Sequence, residues 1–359
     1  MIGPFVFTGL PQRVIFGSGT LGRLAEEVRR LGCERALVVA GPVQQALATR
    51  VDGLLGELSV GVFSGARVHT PVVVTAEALA VLGQRGADCL VAAGGGSAIG
   101  LSKALARRTG LPQLVVPTTY AGSERTAVVG ETEDGHKTTR RADAVLARTV
   151  VYDVELTLHL PVGLSATSAV NAIAHAAEAL YTHEVSPLVV SIAEESVARL
   201  ASSLPRIAAM PADPDARADA LYGAFLAGTC LACATMGLHH KLCHVLGGAF
   251  DLPHAATHAV VLPYALAYNA PSAPAAMARL AGALGAEDPV SGLLQLEERL
   301  GVPGSLAELG MPADGVERVV GTLMADAVEN PRPLEAGPIR DLVGRALRGE
   351  GPPAEGWAA

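Results

Sequence analysis

Residues 88–106, DCLVAAGGGSAIGLSKALA, run without a break from an apolar, strand-like segment through three glycines into a stretch with helical spacing. Gly94, Gly95, Gly96 and Ser97 sit at the junction. Glycines there let the backbone approach an anion closely, and the first N–H groups of the following helix point at it with the positive end of the dipole. A pyrophosphate suits such a turn.

The same strand–turn–helix unit recurs on both sides. RVIF (13–16), ERALVVAG (34–41), SVGVFSG (59–65) and QLVVPTT (113–119) are strand-like runs, separated by the amphipathic stretches LGRLAEEVRRLG (21–32), VQQALATRVDGLLGEL (43–58) and VVVTAEALAVLGQRG (72–86). Alternation of this kind builds a parallel sheet with helices on its faces. Residues 1–157 are therefore expected to form an α/β dinucleotide-binding domain. Beyond about residue 160 the pattern changes to long Ala/Leu-rich stretches of helical period, such as SATSAVNAIAHAAEALYTH (165–183) and ARADALYGAFLAGTCLACATMGLHHKLCHVLGG (216–248). Residues 158–359 are expected to form an all-α domain.

Composition narrows the function. A chain of 359 residues, 50% hydrophobic and 17% charged, holds enough apolar surface for two cores. Its net charge of −8, without a Lys/Arg-rich run, excludes the usual footprint of a nucleic-acid binder. Any anionic ligand must meet local positive groups. No apolar run reaches the ~18 residues of a membrane span, and the N-terminus lacks the pattern of a secretion signal. The five scattered cysteines, Cys33, Cys89, Cys230, Cys233 and Cys243, suit reduced thiols in a cytoplasm.

Two further segments bear on phosphate binding. FGSGTLG (16–22) matches G-x-G-x-x-G at Gly17, Gly19 and Gly22, but the next strand ends ALVVAGPVQQ, with no acid to hold a ribose. It reads as a structural turn. VVPTTYAGSERTAVVGETEDGHKTT (115–139) ends a strand in Thr118 and Thr119 and turns through Ser123, where hydroxyls meet a bound nucleotide in an open α/β sheet, and Lys137 adds charge.

GLHHKLCHVLGGAFDLPHAATH (237–258) carries five of the ten histidines. His240 and His244 lie four apart on one helix face, and His254 follows a Gly-Gly loop that folds it back towards them. His239, about 100° round the helix from His240, and His258 read as supporting residues.

In this order RVIFGSG, GGGS, PTT with its following Gly-Ser, and GLHHKLCHVLGG resemble the iron-containing alcohol dehydrogenase superfamily over nearly the whole chain. The resemblance implies an α/β domain followed by an all-helical catalytic domain, as in dehydroquinate synthase-like folds. It also implies a metal held by an aspartate, a histidine four residues later, and two more histidines. Those positions fall here on Asn171, His175, His240 and His254. Asparagine is neutral, so the site loses its one anionic ligand. Within the superfamily this departure, together with VPTTYAGSE, GETEDGHKTT and FDLPHAATHAVVLPYALAYN, resembles the maleylacetate reductases, which work without a metal. Tyr264 stands where that branch leads one to expect histidine.

That resemblance implies reduction of maleylacetate or a related enone dicarboxylate to 3-oxoadipate in aromatic-compound degradation, by a cytoplasmic homodimer. Gly94, Gly95, Gly96, Ser97, Thr118, Thr119, Ser123 and Lys137 would hold the cofactor. No Arg or Lys follows ALVVAG to meet a 2′-phosphate, which favours NADH and leaves NADPH open. His244 and His254 are expected to be catalytic, as proton donor and oxyanion partner. Thr119, Tyr120, Arg125, His175, His240 and Lys241 are expected around the small anionic dicarboxylate, with no metal. The alternatives are a metal-dependent alcohol dehydrogenase, an NAD-using lyase or cyclase on the same scaffold, and a non-catalytic binding protein.

Overall fold

The strand-like runs pair as a parallel sheet in a computed structural model that describes residues 5–133, 136–182, 186–353 and 356–357; the side chains of His136 and Lys137 also lie outside the described residues. The chain divides into two units, Leu10–Leu160 and Met1–Gly9 with Pro161–Ala359. The expected boundary at 157/158 moves to 160/161. The 3-10 turn Val154–Thr157 still closes on the sheet, because Asp153 accepts the Glu155 N–H at 3.1 Å.

In the first unit the strands are β1 (Arg13–Gly17), β2 (Ala36–Val39), β3 (Ser59–Phe63), β4 (Cys89–Gly94), β5 (Gln113–Pro117) and β8 (Thr149–Asp153), in the order β1-β8-β5-β4-β2-β3. β6 (Val128–Glu133) and β7 (His136–Arg141) form a separate antiparallel pair. Both faces of the main sheet are covered, which explains its continuous apolar runs. Ala36, Val38 and Ala40 pack in one layer with α1 (Leu24–Arg30) and α2 (Gln45–Leu55), while Leu37 and Val39 pack in the other with α3 (Val72–Arg85) and α4 (Gly96–Thr109). The period of two along β2 divides the layers. Because β3 lies outside β2 and β4 inside it, α2 and α4 leave neighbouring strands on opposite faces, and a crevice opens at the strands' carboxyl ends.

The G-x-G-x-x-G match is a structural turn. Asp153, fully buried at the end of β8, accepts the N–H groups of Gly19 at 3.0 Å and Leu21 at 2.8 Å. A side chain thus fills the place a phosphate would take.

The second unit is helical: α5 (Val162–Ala179), α6 (Pro187–Ala209), α7 (Pro214–Cys233), α8 (Leu238–Phe250), α9 (His254–Asn269), α10 (Pro274–Leu284), α11 (Pro289–Leu300), α12 (Val316–Met324) and α13 (Ala336–Arg348). Helices α8, α9, α12 and α13 share a core that includes Leu242, Leu246, Val261, Leu323 and Leu342. The stretch 216–248 is not one helix: α7 ends at Cys233 and α8 starts at Leu238, with a bend of 95° between them. Among the described residues no single helix is long and apolar enough to cross a membrane.

Asp153→Ala removes the acceptor of the buried Leu21 N–H and of the Gly19 N–H at the β8 end. Chemical denaturation of this variant is expected to show a loss of roughly 2–4 kcal/mol in stability.

Candidate active site

Within the first unit, the loop after β4 is shaped for an anion. Gly94 has φ +148°, a conformation that side chains rarely adopt. Gly95 precedes α4 with no side-chain cap on the helix. A Cβ at Gly95 would lie 3.1 Å from Thr119 Cγ2, whereas one at Gly96 would meet nothing within 4 Å. The glycine loop and the Thr118–Thr119 turn are therefore neighbours, and the Thr118 N–H donates to the Gly94 carbonyl at 3.3 Å. Gly95, Gly96, Ser97 and Ala98 line a pocket of about 350 Å³ with Gly41, Pro42, Val43 and Gln44 from the loop after β2 and Ala66, Arg67 and Val68 from the loop after β3.

The segment after Thr119 is tied down from below. Lys103, fully buried on α4, donates from Nζ to the Ser123 carbonyl at 2.6 Å, Thr126 Oγ1 at 2.9 Å and the Val128 carbonyl at 2.8 Å. Burial lowers its pKa to about 7, against the pull of Glu124. Glu124 accepts the Tyr152 hydroxyl at 2.7 Å, and burial raises its carboxyl. Arg125 and Tyr120 are buried in this segment, Ser123 is half-buried, and the Lys137 side chain lies outside the described residues.

In the second unit the histidines form a folded line of rings, in which His244 also lies 6.5 Å from both His240 and His258. Centre-to-centre distances are 6.3 Å from His244 to His254, 4.3 Å on to His258, 4.9 Å to His240 and 4.8 Å to His175. His244 and His254 are exposed, while His258, His240, His239 and His175 are buried. His254 comes into line differently from the expectation. Gly247 and Gly248 lie inside α8, and the chain reverses at Asp251, which caps α8 in a left-handed conformation (φ 54°) before Pro253 opens α9 at His254.

A residue outside the sequence reading organises the buried end. Glu178 lies on α5 with Asn171 and His175, spaced i, i+4 and i+7 on one face. Its Oε1 accepts the His239 N–H at 2.9 Å, and its Oε2 accepts the His240 N–H at 3.4 Å and Nδ1–H at 2.5 Å. Burial raises the Glu178 carboxyl, with His239 and the amides of His239, His240 and Gly237 opposing. Burial also lowers His239 to about 4 and holds His240 and His258 well below the usual imidazole range. His175 Nδ1 lies 2.6 Å from His240 Nε2, and Asn171 Nδ2 lies 3.4 Å from His175 Nε2. Lys241 does not join the line; its ammonium pairs with Asp326 at 2.5 Å.

The iron-containing alcohol dehydrogenase family matches residues 11–154, and the C-terminal domain of the Fe-containing alcohol dehydrogenase family matches residues 165–347. A maleylacetate reductase of Sphingobium indicum is 52% identical over 345 residues, covering 96% of this chain and 98% of the relative. One from Burkholderia cepacia is 50% identical over 348 residues, covering 97% and 99%. The crystal structure of maleylacetate reductase from Agrobacterium tumefaciens superposes with a TM-score of 0.93 at 48% identity, covering 97% of this chain and 99% of that one. The chain belongs to the iron-containing alcohol dehydrogenase family and is an oxidoreductase that uses NAD(P)H. Within that family it stands in the maleylacetate reductase branch, as the motifs implied.

The open space above Gly96 gives a test of the cofactor loop. Gly96→Val is expected to weaken NADH binding by about tenfold or more, read by fluorescence titration, because the branched side chain enters the cradle and not the core. The thermal midpoint is expected to stay within about 2 °C of wild type.

Proposed function

We propose that the protein reduces maleylacetate, or a substituted or closely related enone dicarboxylate, to 3-oxoadipate with NADH, without a metal, as a cytoplasmic homodimer in aromatic-compound degradation. The observation that carries the metal-free part is the 2.6 Å separation of His175 Nδ1 and His240 Nε2. Two imidazole nitrogens bound to one tetrahedral ion at ~2.0–2.1 Å lie about 3.3 Å apart. At 2.6 Å they share a proton instead. Asn171 contributes no charge, and both Glu178 oxygens are occupied by N–H donors. This donor set does not fit iron.

The first unit fits a dinucleotide, with the pyrophosphate over Gly95, Gly96 and Ser97 and the hydroxyls of Thr118, Thr119 and Ser123 beside them. Arg67 is the one charged side chain lining that pocket, and it offers a partner to the extra phosphate of NADPH. When bound, NADH supplies a hydride to the alkene carbon remote from the ketone. The chain's own residues handle the charge that appears. His244 and His254, at the exposed end of the line, hydrogen-bond the ketone oxygen as the enolate forms and donate a proton to the alkene carbon adjacent to the carbonyl carbon. Arg125, Tyr120 and the Thr118–Thr119 turn are the partners we assign to the substrate carboxylates. His175 and His240 back the line from the buried side. Lys241, already paired with Asp326, carries less of that task than its charge suggested.

Support for the homodimer comes from the exposed apolar segment Phe5, Val6 and Phe7.

Two experiments test this reading. With NADH deuterated on its transferable position, the product is expected to carry deuterium on the carbon remote from an intact ketone; deuterium on a carbinol carbon would indicate an alcohol dehydrogenase. His254→Ala is expected to lower kcat by ~10²–10⁴-fold, while His175→Ala, which touches no reacting atom, loses far less. Equal losses in the two variants would make both of them ligands of one ion.

A further inference from the structure

We propose that Glu178 is a positioning residue that fixes the tautomers of His240 and His175, making Asn171, His175 and His240 one hydrogen-bonded chain directed at a buried carboxylate. The proposal rests on the reading of the histidine line as the site of reduction.

Counting protons gives the direction. A carboxylate only accepts, so the 2.5 Å contact with Glu178 Oε2 puts a proton on His240 Nδ1 and leaves Nε2 with a lone pair. His175 Nδ1, 2.6 Å from that lone pair, must then be the donor, which leaves His175 Nε2 as an acceptor. Asn171 Nδ2 lies 3.4 Å from it and supplies the only donor on that side chain. The neighbouring ring takes the opposite form: His239 Nε2 donates to the His258 carbonyl at 2.9 Å. One buried carboxylate thus sets three side chains in sequence.

Against the burial that raises this carboxyl, the fold surrounds its oxygens with N–H donors. Glu178 faces the N-terminus of the 13-residue helix α8, where the amide groups and the helix dipole favour an anion. Close approach requires Gly237, since a Cβ there would lie 3.2 Å from Glu178 Oε1. Asn330 completes the cap, its Oδ1 accepting the Leu238 N–H at 3.3 Å.

The far end of the chain shows what the direction is for. With Nδ2 turned to His175, Asn171 presents Oδ1, which is buried and has no hydrogen-bond partner among the described residues. That oxygen accepts from a water or a substrate O–H. Glu178, two rings away, decides that this position offers an acceptor.

The test is nitrogen-15 NMR of histidine-labelled protein. In wild type, His240 and His175 are expected to show protonated Nδ1 and bare Nε2. Glu178→Gln puts an amide N–H₂ where one oxygen accepted, and is expected to mix these tautomers and lower kcat by ~10–100-fold, with NADH affinity unchanged. Glu178→Asp, which keeps the charge, is expected to recover part of kcat. Wild-type rings protonated at Nε2, or a Gln variant with wild-type kcat and tautomers, would overturn the proposal. Failure of wild type to turn over maleylacetate would instead overturn the functional reading, while the tautomers would still be legible.

Discussion

A single carboxylate, Glu178, meeting the first amides of α8 ties α5 to α8 in the helical unit. Burying a carboxylate is costly unless its oxygens are hydrogen-bonded, and here three N–H groups converge on them. The contact links α5 to α8, so it aligns Asn171 and His175 on one helix with His239 and His240 on the other. It also explains the sharp break between α7 and α8, because the new helix begins where an anion is waiting for its N-terminus. The exposed pair His244 and His254 is carried on this frame: one lies a turn beyond His240 on α8, and the other is brought round by the left-handed Asp251.

Both halves of the protein use the same electrostatics with different partners. Backbone N–H groups that have no helical acceptor attract negative charge wherever they occur. At Gly19 and Leu21 the charge is Asp153 from the same chain, and at α8 it is Glu178. At Gly96, by contrast, the helix has no side-chain cap and the space above the glycine is open. Glycine content alone does not separate a structural turn from a cofactor loop; what stands opposite the amides does.

Five of the six strands were legible as short apolar runs, from RVIF to QLVVPTT, whereas β8, TVVYD, which joins β1 to β5, was not among them. Long-range features were harder to read. Arg67 and the Gly41–Gln44 loop join the pocket only because β3 lies outside β2 and β4 inside it, and strand order leaves no mark on a single segment. Glu178 had a signal, the i, i+4, i+7 stripe with Asn171 and His175 in an alanine-rich helix, but a lone glutamate there reads as a solvated surface charge. Gly247 and Gly248 suggested a loop, yet they lie within α8, whose Leu242, Val245 and Leu246 pack in the core shared with α12 and α13, and the reversal falls to Asp251, a residue type that tolerates the left-handed region. The α7–α8 break was hidden because apolar spacing continues across ATMG.

The account's central claim is that hydrogen-bonded imidazoles, and not an ion, manage the charge of the reduction. Metal analysis of active protein purified without chelator, with turnover measured on the same sample, tests it most directly. Full turnover at a metal content far below one ion per chain, unchanged by a strong chelator, is the predicted result. One iron or zinc per chain, with activity lost on chelation and restored by adding the ion back, would contradict it.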